Sequence, residues 1–170
     1  HNLFGFRIFS AICAFGTILI TMFYSLKQYG RAPAVLTGAM LVTAYGFIDN
    51  HHARSGDADA LYVLLYTIAV LVVLKPCPRI TRYYIACFIA SLAFLTKCFH
   101  SATLVVTIAI LFLHDMPFSG KSFLQGIFCV IIFLFPVLIW ATLRYQYDGT
   151  VFFERMIFYD VLKRASEVIE

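Results

Sequence analysis

Between two strongly apolar stretches of this chain, His51, His52, Arg54, Asp57 and Asp59 fall within nine residues. Each type has a chemistry: imidazoles bind metals or relay protons, carboxylates act as bases or hold cations, and a guanidinium offers a fork of donors to phosphate. Ionisable groups at the end of an apolar run are costly to keep, which makes them the first functional candidates. Lys97 with His100, the link from Arg144 to Asp148, and the basic pair Lys163 and Arg164 complete the polar inventory.

Each candidate also has a plainer role. On a continuing helix Asp57 and Asp59 point about 200 degrees apart and form no same-face pair unless the loop bends. Asp57 also fits the N-cap of the following helix, with Asp59 favoured in its first turn. His51 and His52 read as metal ligands or as solvated loop residues, and Arg54 as a phosphate partner or a headgroup contact. Lys97 and Arg7 can snorkel to an interface, and Lys163 and Arg164 can bind anionic headgroups. His114 and Asp115 read as loop residues; Trp140, Tyr145 and Tyr147 read as interface anchors.

The elements that must position these groups follow from composition. With 62% hydrophobic residues, 13% charged residues and 18 Phe in 170 positions, and a mean hydropathy of +0.87, the chain has too few charges to cover a soluble globule. It reads as an all-α, polytopic integral membrane protein. The net charge of +4 comes from short basic clusters between apolar runs, so no nucleic-acid partner is indicated. Cys13, Cys77, Cys87, Cys98 and Cys129 are scattered without CxxC spacing and suggest neither a disulfide framework nor a zinc site. No P-loop, dinucleotide-binding glycine motif or nucleophile elbow is present. The chain opens on His1, with no signal peptide before the first apolar run, and reads as an internal piece of a longer protein.

Six apolar segments are predicted to cross the membrane, at 3–26, 34–48, 60–74, 83–95, 102–113 and 123–143. Residues 83–113 could form one long helix, but Lys97 would then sit near the bilayer centre, where a charge costs about 2.5–3.5 kcal/mol on insertion scales. A break at Thr96, Lys97 and Cys98 is the better reading. Six spans put Lys27, Arg31, Lys75, Arg79, Arg82 and Lys121 on one side and only Arg54 and Lys97 in the short loops of the other. Cytoplasmic loops collect Lys and Arg, so the 51–59 loop, the Lys97 turn and both chain ends are expected on the non-cytoplasmic side. Residues 1–143 form the transmembrane region. Residues 144–170 form a juxtamembrane segment in which Ile157, Phe158, Val161, Leu162, Ala165, Val168 and Ile169 line one face of an interfacial helix.

The residues then resemble a family. His52-Ala53-Arg54-Ser55-Gly56-Asp57-Ala58-Asp59-Ala60-Leu61 is similar to the second outer loop of bacterial GT-C membrane glycosyltransferases of the protein mannosyltransferase and aminoarabinose transferase type. Ser91-Leu92-Ala93-Phe94-Leu95-Thr96-Lys97 resembles the small-residue run that ends in Thr-Lys, with Cys98 where Gly is usual. Pro136 to Trp140, Gly149 and Phe152-Phe153 resemble a Pro-Trp and Gly-x-x-Phe pattern before an outer amphipathic helix, although Pro and Trp are separated here. Phe6-Arg7-Ile8-Phe9-Ser10-Ala11 resembles the Arg-containing start of the second span. Order and spacing match over essentially the whole chain.

The resemblance implies inverting transfer of a sugar from a polyprenyl-phosphate donor to a lipid, glycan or protein acceptor, at the outer face of a bacterial inner membrane. It implies that Asp57 and Asp59 form a supporting acidic motif, that Arg54, Lys97 and Arg164 hold the donor phosphate, and that His52 and Lys163 are further contacts. It leaves a divalent metal open as cofactor. The principal catalytic Asp of the family belongs to an earlier loop, so this piece alone is expected to be inactive. The rival reading is an ion- or proton-coupled transporter component using Asp57, Asp59 and His52; a carrier, however, usually places ionisable groups near the midplane.

Overall fold

The computed structural model describes residues 3–48, 58–75 and 80–158, and all regular structure among them is helical. In chain order the elements are α1 (Leu3–Tyr29), α2 (Arg31–Thr43), α3 (Tyr45–Ile48), α4 (Asp59–Val73), α5 (Ile80–Lys97), a 3-10 turn (Cys98–Ser101), α6 (Ala102–Asp115), α7 (Gly120–Asp148) and α8 (Val151–Ile157). Each apolar segment expected from the sequence is occupied by one of them, the second by α2 and α3 together. That second segment is interrupted at Ala44, which adopts an extended conformation (φ −70°, ψ 109°) while its N–H still bonds to the carbonyl of Met40.

Three stretches are long and apolar enough to cross a membrane: Arg7–Tyr29, Ile80–Asp115 and Gly120–Asp148. The middle one is a hairpin. A straight helix would hold Tyr83 and Asp115 about 48 Å apart at 1.5 Å per residue, yet the Tyr83 hydroxyl donates to Asp115 Oδ2 at 2.7 Å. The chain reverses directly after Lys97, where the charge argument requires it to.

Side-chain contacts fix the relative directions of α1, α4, α5 and α6. Tyr24 of α1 reaches the carbonyl of Leu74 at the end of α4, so these two run parallel. Asp59 at the start of α4 meets Lys97 at the end of α5, so these run antiparallel. Tyr62 and Tyr66 of α4 meet Thr103 and Thr107 of α6 as two successive rungs at 3.1 and 3.0 Å, which makes α4 and α6 parallel. One end of the bundle therefore gathers Lys27, Lys75, Arg82 and Lys121, and is called here the basic end. The other gathers Asp59, Lys97 and the 3-10 turn, and is the Lys97 end.

The bundle centres on α5, which packs against both α4 and α7. Apart from Tyr83 near its start, its most buried residues are small: Ala86, Ala90, Ser91 and Ala93 are all at most 1% exposed, and Ala69 of α4 is fully buried. Lipid tails are as apolar as Leu, so helices in a bilayer gain little from burying large side chains and associate where small residues let backbones approach. Ser and Thr hydroxyls in the spans are satisfied by the preceding turn, as with Thr17 to Cys13 and Ser91 to Phe88. α4 has 15 residues and covers about 22 Å, less than the roughly 30 Å hydrocarbon core.

The amphipathic helix expected from Ile157 onward lies outside the described residues beyond Phe158.

Candidate functional site

At the Lys97 end, Lys97 Nζ stands 2.6 Å from Asp59 Oδ1, with side-chain exposures of 30% and 14%. The ion pair joins the last residue of α5 to the first of α4. Sequence alone left Lys97 as either snorkelling or functional, and Asp59 as a first-turn residue; the structure brings the two together across 38 positions. An ammonium carries three donors and a carboxylate about four acceptor positions, so one contact between them leaves both able to engage a further group.

The turn beside Lys97 is held from several directions. Cys98 has φ +44°, in the left-handed region where a side chain is disfavoured and glycine is the usual occupant. This is the position at which the resembling sequence pattern carries Gly. Ser101, 1% exposed, donates from its hydroxyl to the carbonyl of Cys98 at 2.8 Å. Tyr62, one turn along α4 from Asp59, donates to the carbonyl of His100 at 3.0 Å. The Cys98 thiol lies 3.9 Å from the thioether of Met156 on α8.

α8 returns to the bundle through an aromatic clasp. α7 ends at Gly149, which takes φ +60° as glycine readily does, with its N–H bonded to the carbonyl of Tyr145. Trp140 then meets Phe152 and Phe153 edge-on, with ring centroids 5.8 and 6.3 Å apart. The Arg144 guanidinium lies 4.2 Å from the centre of the Phe152 ring and pairs with Asp148 at 2.7 Å. Trp140, read from the sequence as an interface anchor, is an internal contact of this clasp.

Of the sequence-predicted site residues, Asp59 and Lys97 are adjacent. Arg54, Asp57, His52, Lys163 and Arg164 lie outside the described residues. Tyr62, Tyr66, Thr103 and Met156 were not singled out from the sequence; the equal i, i+4 spacing of the two tyrosines and of Thr103 and Thr107 was the available signal.

One sequence reading is corrected. His114 and Asp115 are not plain loop residues: Asp115 closes α6 and accepts from the hydroxyl of Tyr83, a residue only 1% exposed. The same hydroxyl lies 3.0 Å from the carbonyl of Leu111, and His114 Nδ1 lies 2.9 Å from Asp115 Oδ1. The phenol is satisfied only by packing against the end of α6, which makes Asp115 a structural acceptor.

Two further observations bear on chemistry. Among the described residues no three His, Cys, Asp or Glu side chains gather as metal ligands, and Asp59 already faces a cation, so those residues do not fit a divalent metal. A concavity of about 770 Å³ lies between α5, α6 and α7, is lined mostly by apolar side chains such as Phe112, Phe123 and Phe133, and does not include Lys97. The ionisable side chains of the described helices sit at helix ends, as Arg7, Lys27, Arg31, Asp59, Lys97, Asp115, Lys121 and Asp148 all do. A carrier with midplane ion sites would look different.

Comparison with known proteins gives one match. The profile of the family described as dolichyl-phosphate-mannose-protein mannosyltransferase matches residues 1–140. No curated protein and no solved structure matches the chain.

Proposed function

The chain belongs to the dolichyl-phosphate-mannose-protein mannosyltransferase family, membrane glycosyltransferases of the GT-C type, and from that premise we propose that its Lys97 end receives the phosphate of a polyprenyl-phosphate sugar. The observation that carries this reading is the Asp59–Lys97 pair, a partly exposed cation held by a carboxylate where two apolar helices end. A polyprenyl donor reaches its enzyme through the membrane, so its phosphate arrives at headgroup depth and needs cations there; a soluble nucleotide sugar would not.

The chemistry follows from the donor. The acceptor hydroxyl attacks the anomeric carbon from the face opposite the phosphate, a new glycosidic bond forms, and the bond from carbon to phosphate oxygen breaks. The electron pair leaves with the polyprenyl phosphate, and the configuration inverts. Lys97, with Arg54 and Arg164 from neighbouring segments, stabilises the charge that grows on the leaving phosphate. Asp59 keeps the ammonium of Lys97 in place, and Asp57 adds to the acidic motif. The carboxylate that takes the acceptor proton belongs, by the family resemblance, to an earlier loop. The excess of Lys and Arg at the opposite end supports a site facing away from the cytoplasm.

Transfer from a polyprenyl-phosphate mannose, measured in the intact enzyme, tests this. Lys97→Gln is expected to lower transfer about a hundredfold, the scale for removing one group that stabilises developing negative charge, while expression and detergent-solubilised folding stay near wild type. Transfer within a fewfold of wild type, or a parallel loss of folded protein, would return Lys97 to a structural role.

A further inference from the structure

We propose that Cys98 and Met156 couple α8 to Lys97, so that docking of the juxtamembrane segment sets where the Lys97 ammonium stands. This rests on the reading of Lys97 as a phosphate ligand. Three features converge at one place. Lys97 and Cys98 are consecutive, so the backbone angle at Cys98 directs the chain that carries the ammonium. Cys98 holds a left-handed conformation that costs energy for any residue with a side chain; glycine would adopt it freely, yet a thiol occupies the position. That thiol is directed to the Met156 thioether, 3.9 Å away and 58 residues along the chain. A glycine there would hold the turn but have nothing to offer α8.

The other end of the coupling is equally well placed. α8 is fixed to α7 by Trp140, Phe152 and Phe153, and the segment that follows it carries Lys163 and Arg164. Met156 therefore lies on the last described helix before those basic residues in the chain. Cys98 is a positioning residue in this scheme and touches no reacting atom.

Cross-linking tests the geometry and kinetics test the coupling. In the intact enzyme with Met156→Cys, copper-phenanthroline should oxidise the two thiols to a disulfide, with both protons and both electrons passing to the oxidant, and mass spectrometry should recover the linked peptide pair. Cys98→Ala in the same background should abolish that pair. Folded protein that yields no linked pair overturns the contact. For the coupling, Met156→Ala and Cys98→Gly are each expected to raise the KM for a polyprenyl-phosphate mannose about threefold or more, within the range by which a coupling contact changes affinity, with kcat little changed. The disulfide-linked protein should keep the wild-type KM. Cys98→Gly serves as the decisive variant because it preserves the left-handed turn while deleting the sulfur: a wild-type KM there overturns the coupling. Lys97→Gln separates the two levels of the argument. If it impairs transfer and the sulfur variants leave KM at wild type, the coupling fails and the phosphate reading survives; if it changes neither kcat nor KM, the phosphate reading fails first.

Discussion

α5 is held by a polar tie at each end, to α6 at the basic end and to α4 at the Lys97 end, and the two ties are built differently. At the basic end the buried Tyr83 hydroxyl reaches both Asp115 and the carbonyl of Leu111, while its ring stands edge-on to Phe112 at 5.2 Å. At the Lys97 end a flexible ammonium meets a carboxylate, both partly exposed, beside a backbone turn in an unfavourable conformation. The first tie is aromatic, short-tethered and enclosed, as a permanent contact should be. The second joins two formal charges that remain accessible to another ion. A permanent contact belongs at a structural end, and an accessible charge pair belongs where a charged substrate arrives.

The largest stability effect should therefore come from the basic end. Tyr83→Ala removes a buried ring and leaves Asp115 without its phenol donor. Deleting a buried aromatic costs about 3 kcal/mol at the lower end of the usual range, which is appropriate in a bilayer where transfer from lipid contributes little. Tyr83→Phe keeps the ring and loses only the hydrogen bonds, at about 0.6–1.7 kcal/mol for hydroxyl contacts between membrane helices. Unfolding in mixed micelles checks both values. The donor KM of Tyr83→Phe should remain at wild type; a rise comparable to that of Lys97→Gln would erase the distinction between the two ends.

The Lys97 end should show the opposite pattern. Asp59→Asn leaves the ammonium without its carboxylate, yet both groups are partly exposed, so the stability loss should stay below about 1 kcal/mol. Transfer should fall by a larger factor, because Lys97 is then free to leave the position in which it meets phosphate. A double-mutant cycle over Asp59→Asn and Lys97→Gln sharpens this, since residues acting as one unit are strongly non-additive. The double variant should transfer sugar no more slowly than Lys97→Gln alone. Fully additive losses would separate Asp59 from Lys97 in function.

The same contrast explains what could be read from the sequence. The spans were legible because apolar runs are long and unambiguous, and the reversal after Lys97 was legible because a charge at the bilayer centre is costly. The interruption at Ala44 was not, since alanine favours a helix and the nearest glycine, Gly46, lies within α3. That Asp59 and Lys97 would share an end followed from loop charges; that they would touch did not. Their register depends on how Ala60 and Ala69 of α4 seat against Ala86, Ala90 and Ala93 of α5, and small residues leave no distinctive mark in a hydropathy pattern. Asp115 was misread for a related reason. Its partner lies 32 positions earlier, and the nearby Pro117 made the region look like a loop. The pattern of Pro136, Trp140, Gly149, Phe152 and Phe153 located a junction but not its clasp, because which rings meet depends on the turn at Gly149.

The smallest expected effect concerns that clasp, and it bears on whether the Lys97 end extends to α8. Arg144 makes two contacts, an i, i+4 pair with Asp148 and a cation–π contact with Phe152. The pair is exposed and contributes about 0.3–0.5 kcal/mol, and the ring contact about 0.5–1 kcal/mol at a solvent-facing site. Arg144→Gln should therefore destabilise the protein by about 1.5 kcal/mol at most. Trp140, Phe152 and Phe153 still hold α8 after this change, so in the Met156→Cys background the disulfide to Cys98 should form at nearly the rate seen with Arg144 intact. Trp140→Ala removes the ring that both phenylalanines meet and should slow cross-linking markedly. If Arg144→Gln slows it as much as Trp140→Ala does, the guanidinium rather than the aromatic cluster docks α8. The coupling to Lys97 would then weaken as salt screens that charge.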